Sequence, residues 1–276
     1  MASGYPADMN LSAYFDRIGY SGPTAPDFAT LDALMRAHAA TVPFENLDVQ
    51  LGRAVSFEPE AIFDKLVQRR RGGWCFEQNG LFGWALAELG FDVTRVSAGV
   101  MRHVRGDDVL GNHLTLIVKL DDPWLVDVGF GGTQAMPIPL AAGEHVHPPF
   151  TVSLAEADGY WRFTERFGAN DPFSFDFHAG QADEALLARQ CLRLQTDPES
   201  QFIQNLIVQL RTGERHATLR GRMLIERDAA GETRHLVESA AEFVALLHDR
   251  FGLDLPEAAG LWDRVCARHA ALFPGD

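Results

Sequence analysis

Lysine is almost missing from this chain. Lys65 and Lys119 are the only two in 276 residues, and arginine supplies the other fixed cations. A Schiff-base mechanism on a lysine amine is therefore excluded, unless one of those two is buried. Cysteine is nearly as scarce: Cys75, Cys191 and Cys266 are too few and too scattered for a disulfide framework. No apolar run approaches the ~18 residues that span a bilayer, so no membrane role is expected. The opening Met1-Ala2-Ser3-Gly4-Tyr5-Pro6 lacks the basic start and apolar stretch of an export signal. The expected setting is cytoplasmic, a reducing compartment in which a free thiol survives. Positive charge is also in deficit. The net charge is −14 with no basic stripe, which argues against a nucleic-acid partner. No His-Glu-x-x-His and no Cys-x-x-Cys pair occurs, and Gly-Phe-Gly-Gly at 129–132 is neither a P-loop nor a dinucleotide fingerprint. No metal is expected.

What is present is ordinary in bulk, with 46% apolar and 22% charged residues, as in soluble globular proteins. The length suits one large domain or two to three small ones. The first ninety residues read helical. Apolar positions recur at three- and four-residue spacing over 11–18, 31–40 and 59–70, with starts at Thr30 and Pro59. A further helix over 75–89 stops at Gly90 and places Cys75 at its N-terminus. From Phe91 the pattern turns to short alternating runs. Strands are predicted over 93–101, 113–120, 124–128, 150–154 and 160–167, with 173–180 irregular. A helix over 183–192 follows, then strands over 206–211, 217–227 and 232–237, and helices over 240–250 and 256–271. The fold class is α+β, in three parts. Residues 1–90 form a helical bundle, 91–195 an antiparallel β-barrel, and 196–276 an α/β lid.

The chemistry gathers in Arg71-Gly72-Gly73-Trp74-Cys75-Phe76-Glu77-Gln78-Asn79. A single cysteine is usually a small buried hydrophobe, and Cys191 and Cys266, within apolar helical patterns, keep that reading. Around Cys75 two glycines let backbone approach, and Arg71 is expected to add positive charge near the thiol. His113 and Asp127 follow in chain order, which gives a nucleophile, a base and an orienter. Asp127 is the stronger anomaly of the two. It lies among Trp124-Leu125-Val126 and Val128, where a carboxylate needs a partner. If the hairpin around Asp121 has an odd connection, Asp127 opposes Thr115, and His113 lies diagonally beside it at about 7 Å between Cα atoms. An even connection puts the two on opposite faces. The remaining histidines, including His145, His147 and His178, read as structural.

These segments also carry a resemblance. The run from Arg71 to Asn79, with Val42-Pro43-Phe44-Glu45-Asn46-Leu47-Asp48 upstream and Val126-Asp127-Val128-Gly129-Phe130-Gly131 downstream, resembles the arylamine N-acetyltransferase family. The likeness extends from Tyr14 to the C-terminal helices. It implies the three-domain layout and an acetyl-CoA donor. It also implies ping-pong transfer of an acetyl group through Cys75, with His113 and Asp127 as partners, to aromatic amines and hydrazines. It places Phe44, Phe130 and Phe202 around the acceptor, Gly129 and Gly131 beside the CoA, and Glu45 and Arg71 in an internal polar network. A homodimer stays open. So do two other readings of the same residues, a cysteine hydrolase or transglutaminase-like enzyme and a catalytically silent protein that binds CoA or aromatic ligands. The negative charge of the chain opposes a polyanionic donor, so local arginines and backbone amides must hold its phosphates.

Overall fold

The computed structural model describes residues 9–272; the stretch read as lacking an export signal lies outside them. The chain opens with α1 (Leu11–Ile18) and α2 (Phe28–Thr41), capped by Asn10 and Asp27 side chains that accept from Ala13 and Thr30 amides. The Asp27 cap starts α2 one turn earlier than Thr30, the start read from sequence. A two-residue strand, β1 (Phe44–Glu45), leads into the short α3 (Leu47–Gln50). The run read as one helix over 59–70 is α4 (Pro59–Phe63) followed by a wider π turn over Asp64–Gln68. It ends at Arg70, whose φ is +51°. Next comes α5 (Cys75–Glu88), with Gly90 at φ +87° beyond its end.

The middle of the chain is an antiparallel sheet. Its strands are β2 (Asp92–Val100), β3 (His113–Lys119), β4 (Pro123–Val126), β5 (Ile138–Pro139), β6 (Gly143–His147), β7 (Phe150–Ala157), β8 (Tyr160–Arg166) and β9 (Phe173–Phe177). A single helical turn, α6 (Arg102–Arg105), follows β2. Among the described residues the order is β5-β4-β3-β2-β9-β8-β7-β6. The edges curl toward each other, and the Ala135 amide donates to His147 Nδ1 across the gap, so the barrel is nearly closed. Phe150, Val152, Leu154, Phe163, Phe175 and Phe177 fill its interior. Three strands of this sheet were not read from sequence, β5, β6 and β9. The stretch 173–180, expected to be irregular, carries β9 over its first five residues, with Asp176 among the phenylalanines. Arg162 Nε and Arg102 Nη1 reach that carboxylate at 2.7 and 3.3 Å, which lets a strand carry it.

After the barrel come α7 (Glu184–Thr196) and α8 (Gln201–Gln204). A second sheet follows: β10 (Ile207–Thr212), β11 (Arg215–Arg220), β12 (Met223–Asp228) and β13 (Gly231–Leu236). The single strand expected over 217–227 is a hairpin broken at Gly221, whose φ of +60° makes the turn. β1 adds to this sheet by pairing Phe44 with Gln209. Then α9 (Ala240–Phe251) and α10 (Trp262–Leu272) cover one face. The core beneath α1, α2 and α5 runs on into Leu116, Val118, Val126 and Val128 of the barrel, so the helical part and the barrel share apolar packing.

Candidate active site

The β3–β4 hairpin decides whether His113 and Asp127 can meet. Leu116 pairs with Val126 and Lys119 with Pro123, which is the odd register. Asp127 follows β4 on the His113 side, and His113 Nε2 lies 2.6 Å from Asp127 Oδ2. Both are buried. The second Asp127 oxygen accepts from Asn79 Nδ2 at 2.9 Å and from the Gly129 amide at 2.8 Å. With Nε2 given to Asp127, the other ring nitrogen is left for the thiol, and the Cys75 sulfur lies within electrostatic reach of the ring.

The thiol is the first helical residue of α5, at the positive end of the helix dipole. It is 4% exposed and makes a weak contact to the Asn112 carbonyl, 3.9 Å away. Burial alone pulls the His113 imidazole down, but the Asp127 carboxylate and the Cys75 sulfur outweigh it and lift it to about 10. The ring is thus held as imidazolium at neutral pH, which is the state that supports a thiolate.

Asn79 is the residue that sequence reasoning left without a role, though it was quoted in the motif. One turn after Cys75, its amide donates to the Leu114 carbonyl at 2.6 Å and to Asp127, and its oxygen accepts from the Val128 amide at 3.0 Å. A single side chain so ties α5 to both strands of the hairpin. The signal available was its spacing, since i and i+4 share a helix face. Gly129 fits the same junction. A Cβ there would come within 2.7 Å of the Cys75 Cα and of Asn79 Nδ2, so the backbone passes against the nucleophile. Gly131 sits at φ +70°, and its carbonyl accepts from His216 Nε2 at 2.6 Å.

The three phenylalanines border the thiol and the imidazole from two sides. Phe44 and Phe202 pack with Trp74 and Cys75, with ring centroids 6.2 Å apart for Phe44–Phe202 and 5.3 Å for Trp74–Phe202. Phe130 belongs to the barrel interior and meets the His113 ring edge-on at 5.2 Å. Arg71 is not where the sequence reading put its charge. Its guanidinium is spent on Glu45 at 2.8 Å and Asp48 at 3.3 Å, so it lends no free charge to the thiol. Lys65 is buried, which meets the condition left open for amine chemistry. Glu77, Glu45 and Asp48 surround it and hold its amine well above the usual lysine range, so it stays an ammonium. Burial pushes the Cys191 thiol well up, leaving it inert beside the site. His147 Nδ1 accepts from the Ala135 amide, His216 Nε2 donates to the Gly131 carbonyl, and His178 stacks on Tyr160. Among the described residues no group of three or more His, Cys, Asp or Glu could hold a metal, and no helix is long and apolar enough to cross a membrane.

Comparison with known proteins adds the following. The family described as N-acetyltransferase matches residues 27–259. The arylamine N-acetyltransferase of Mycolicibacterium smegmatis is 38% identical over 272 residues, covering 91% of this chain and 94% of that one. The Escherichia coli K12 arylamine N-acetyltransferase is 32% identical, covering 90% of each. Among solved structures, the Mycobacterium marinum arylamine N-acetyltransferase in complex with CoA superposes with a TM-score of 0.84. That match has 32% identity and covers 94% of this chain and 98% of that one.

Proposed function

Because the chain belongs to the arylamine N-acetyltransferase family, we propose that it moves an acetyl group from acetyl-CoA to aromatic amines and hydrazines through an acetyl-Cys75 intermediate. The observation that carries this is a buried thiol at a helix start, within electrostatic reach of an imidazole that a carboxylate holds at 2.6 Å. The thiolate of Cys75 attacks the thioester carbonyl carbon. The carbon–sulfur bond to CoA breaks, and CoA leaves with the proton from His113. The amine nitrogen then attacks the acetyl-cysteine and gives a proton to His113, and the Cys75 thiolate is released. Two half-reactions through one covalent species give ping-pong kinetics. Asp127 keeps the ring oriented and its charge balanced.

In this reading Phe44, Phe130 and Phe202 form the aromatic face that receives the acceptor and keeps water from the acyl-enzyme. Gly129 and Gly131 are proposed to border the CoA thioester, supported by the approach of the Gly129 backbone to Cys75. The proposed division of the chain gives the nucleophile to residues 1–90, base and orienter to 91–195, and a lid to 196–276. The enzyme is proposed to be cytoplasmic, and light scattering after size exclusion distinguishes a monomer from a homodimer. The test of the chemistry is mass spectrometry after incubation with acetyl-CoA alone. One acetyl group on the Cys75 peptide is expected, removed on adding an arylamine. Steady hydrolysis with no transfer would favour the cysteine-hydrolase reading, and no adduct at all the silent binding protein.

A further inference from the structure

Behind the nucleophile lies a cluster of buried charge that the acetyl-transfer mechanism does not use. Glu77 is the third residue of α5, two positions after Cys75. Its carboxylate faces back across the first turn and accepts from the Trp74 amide at 3.2 Å. The Lys65 ammonium, from the π turn, donates to both oxygens of the same carboxylate, at 2.9 and 3.1 Å. Lys65 also reaches Asp48 of α3 at 3.1 Å and Glu45 of β1 at 3.9 Å, and Arg71 closes the set on Glu45 and Asp48. All five side chains are buried. Three carboxylates face two cations, so one negative charge is in excess when all are ionised. The nearest further cation, Arg53, lies 3.6 Å from Asp48, but it is half exposed and shared with Glu257. Across from the cluster, α7 presents Cys191, an uncharged thiol within electrostatic reach of Glu77 and Lys65.

We infer that Glu77, clamped by Lys65, is a positioning residue for Cys75. It fixes the first turn of α5 and belongs to a cluster with one negative charge in excess, two residues along the chain from the sulfur, so its ionisation governs how readily the thiolate forms. The inference rests on Cys75 being the nucleophile. Geometry gives Glu77 the lever, because it caps the very turn on which the sulfur rides. Electrostatics gives the sign: an ionised Glu77 opposes a second negative charge nearby, and a protonated one does not. Burial pushes the Glu77 carboxyl up and Lys65 draws it back, with Glu45 adding to the rise, and the outcome is about 7. The switch therefore operates near neutrality. Lys65 itself stays charged throughout, which leaves Glu77 as the group whose state changes.

The test follows Cys75 in two ways: iodoacetamide alkylation, located on the Cys75 peptide by mass spectrometry, and single-turnover CoA release. In Glu77→Gln the side-chain oxygen still accepts from Trp74 while the charge is gone. Its Tm is expected to stay within a few degrees of wild type. The ascending limb of alkylation against pH is expected to move to lower pH by about half a unit or more, a modest shift for adjacent buried groups. Glu45→Gln removes one charge of the same cluster from a different element and must move the limb the same way, which keeps the test open if Glu77→Gln is too unstable. Lys65→Arg keeps every charge and should leave the limb in place. A limb at the wild-type pH in both glutamine variants overturns the inference, as does a change that only follows the folded fraction. Alkylation reads the sulfur without acetyl transfer. A shifted limb in a protein that transfers no acetyl group would sink the proposed function and leave this inference standing.

Discussion

Asp127 and Asp176 are both buried within the same sheet, and they are satisfied in opposite ways. Asp176 on β9 receives two arginines. Arg162 forks onto it at 2.7 and 2.8 Å, and Arg102 adds a third contact at 3.3 Å. Burial pushes that carboxyl up, the guanidinium groups outweigh it, and the net effect holds it below the usual range. Neither arginine gives up its proton at any ordinary pH, so the arrangement has one state. Asp127 instead meets a neutral amide, a backbone N–H and a single imidazole. Its one charged partner can release a proton to a neighbour. Full pairing by permanent charges makes a strut. Leaving the partner titratable, and placing a thiol on its far side, makes a site that can do work.

Four measurements bear on that contrast, the largest effect first. Cys75→Ser takes the chemistry from the Asp127 side and leaves the Asp176 side untouched. Transfer should fall more than about a thousand-fold, with Tm within a few degrees. Appreciable acetylation of an arylamine by that variant removes Cys75 from its role. Asp127→Asn should lower the turnover of folded protein by about a thousand-fold to ten thousand-fold, since an amide keeps the shape but cannot balance an imidazolium. Asp176→Asn should do the reverse. It is expected to cost about 1–3 kcal/mol of stability from a weakened buried pair, read by denaturant melts, while the rate per folded molecule holds. Equal behaviour of the two variants would erase the distinction.

Smaller effects sharpen it. Phe202→Ala should raise the KM for arylamines about ten-fold to a hundred-fold, from ~1.5–3 kcal/mol of lost apolar contact. CoA release in the first half-reaction should change much less. Phe130→Ala should affect both halves, because that ring also braces His113. A Phe130→Ala enzyme with normal acylation would show that the bracing is idle. A further effect concerns stability against pH. The folded His113 takes up protons more tightly than the unfolded residue, near 10 against a usual value of about 6.5. Its contribution is fully present below pH 6.5 and fades as the pH rises toward 10. Wild type should lose stability over that window relative to His113→Gln, and calorimetry at several pH values reads the difference. Parallel curves would mean that the ring is neutral in the folded enzyme.

The sequence made the local and chemical layers legible. The helix start at Cys75, the hairpin about Asp121 and the anomaly of a carboxylate at 127 all follow from short-range pattern, while the parity of the register stayed open and is odd in the structure. What it hid was decided by distant partners. A strand through Asp176 is visible only once Arg102 and Arg162 are known to arrive from elsewhere. The residues around Cys75 left Arg71 free, because Glu45 and Asp48 lie more than twenty residues away in the chain; only the family resemblance set it beside Glu45. Gly221 was a local signal, a turn residue inside an alternating run, and there the strand pattern on both sides concealed it.

The pairing of β1 with β10 reaches beyond architecture to the order of events in synthesis. Phe44 meets Gln209 in that pairing, and Asn46 binds the Asn205 carbonyl 159 residues further along. A ribosome releases the thiol first, then His113 and Asp127, and only much later the segment that brings Phe202 against Phe44. Phe44 and Phe130 are made by then, so the last ring of the aromatic wall to be synthesised is Phe202 on α8, followed by the strand that pairs with β1. At about 5–20 residues per second of translation, the stretch from Asp127 to Phe202 takes on the order of several seconds. The wall is completed last, by a segment remote from the chemistry in sequence.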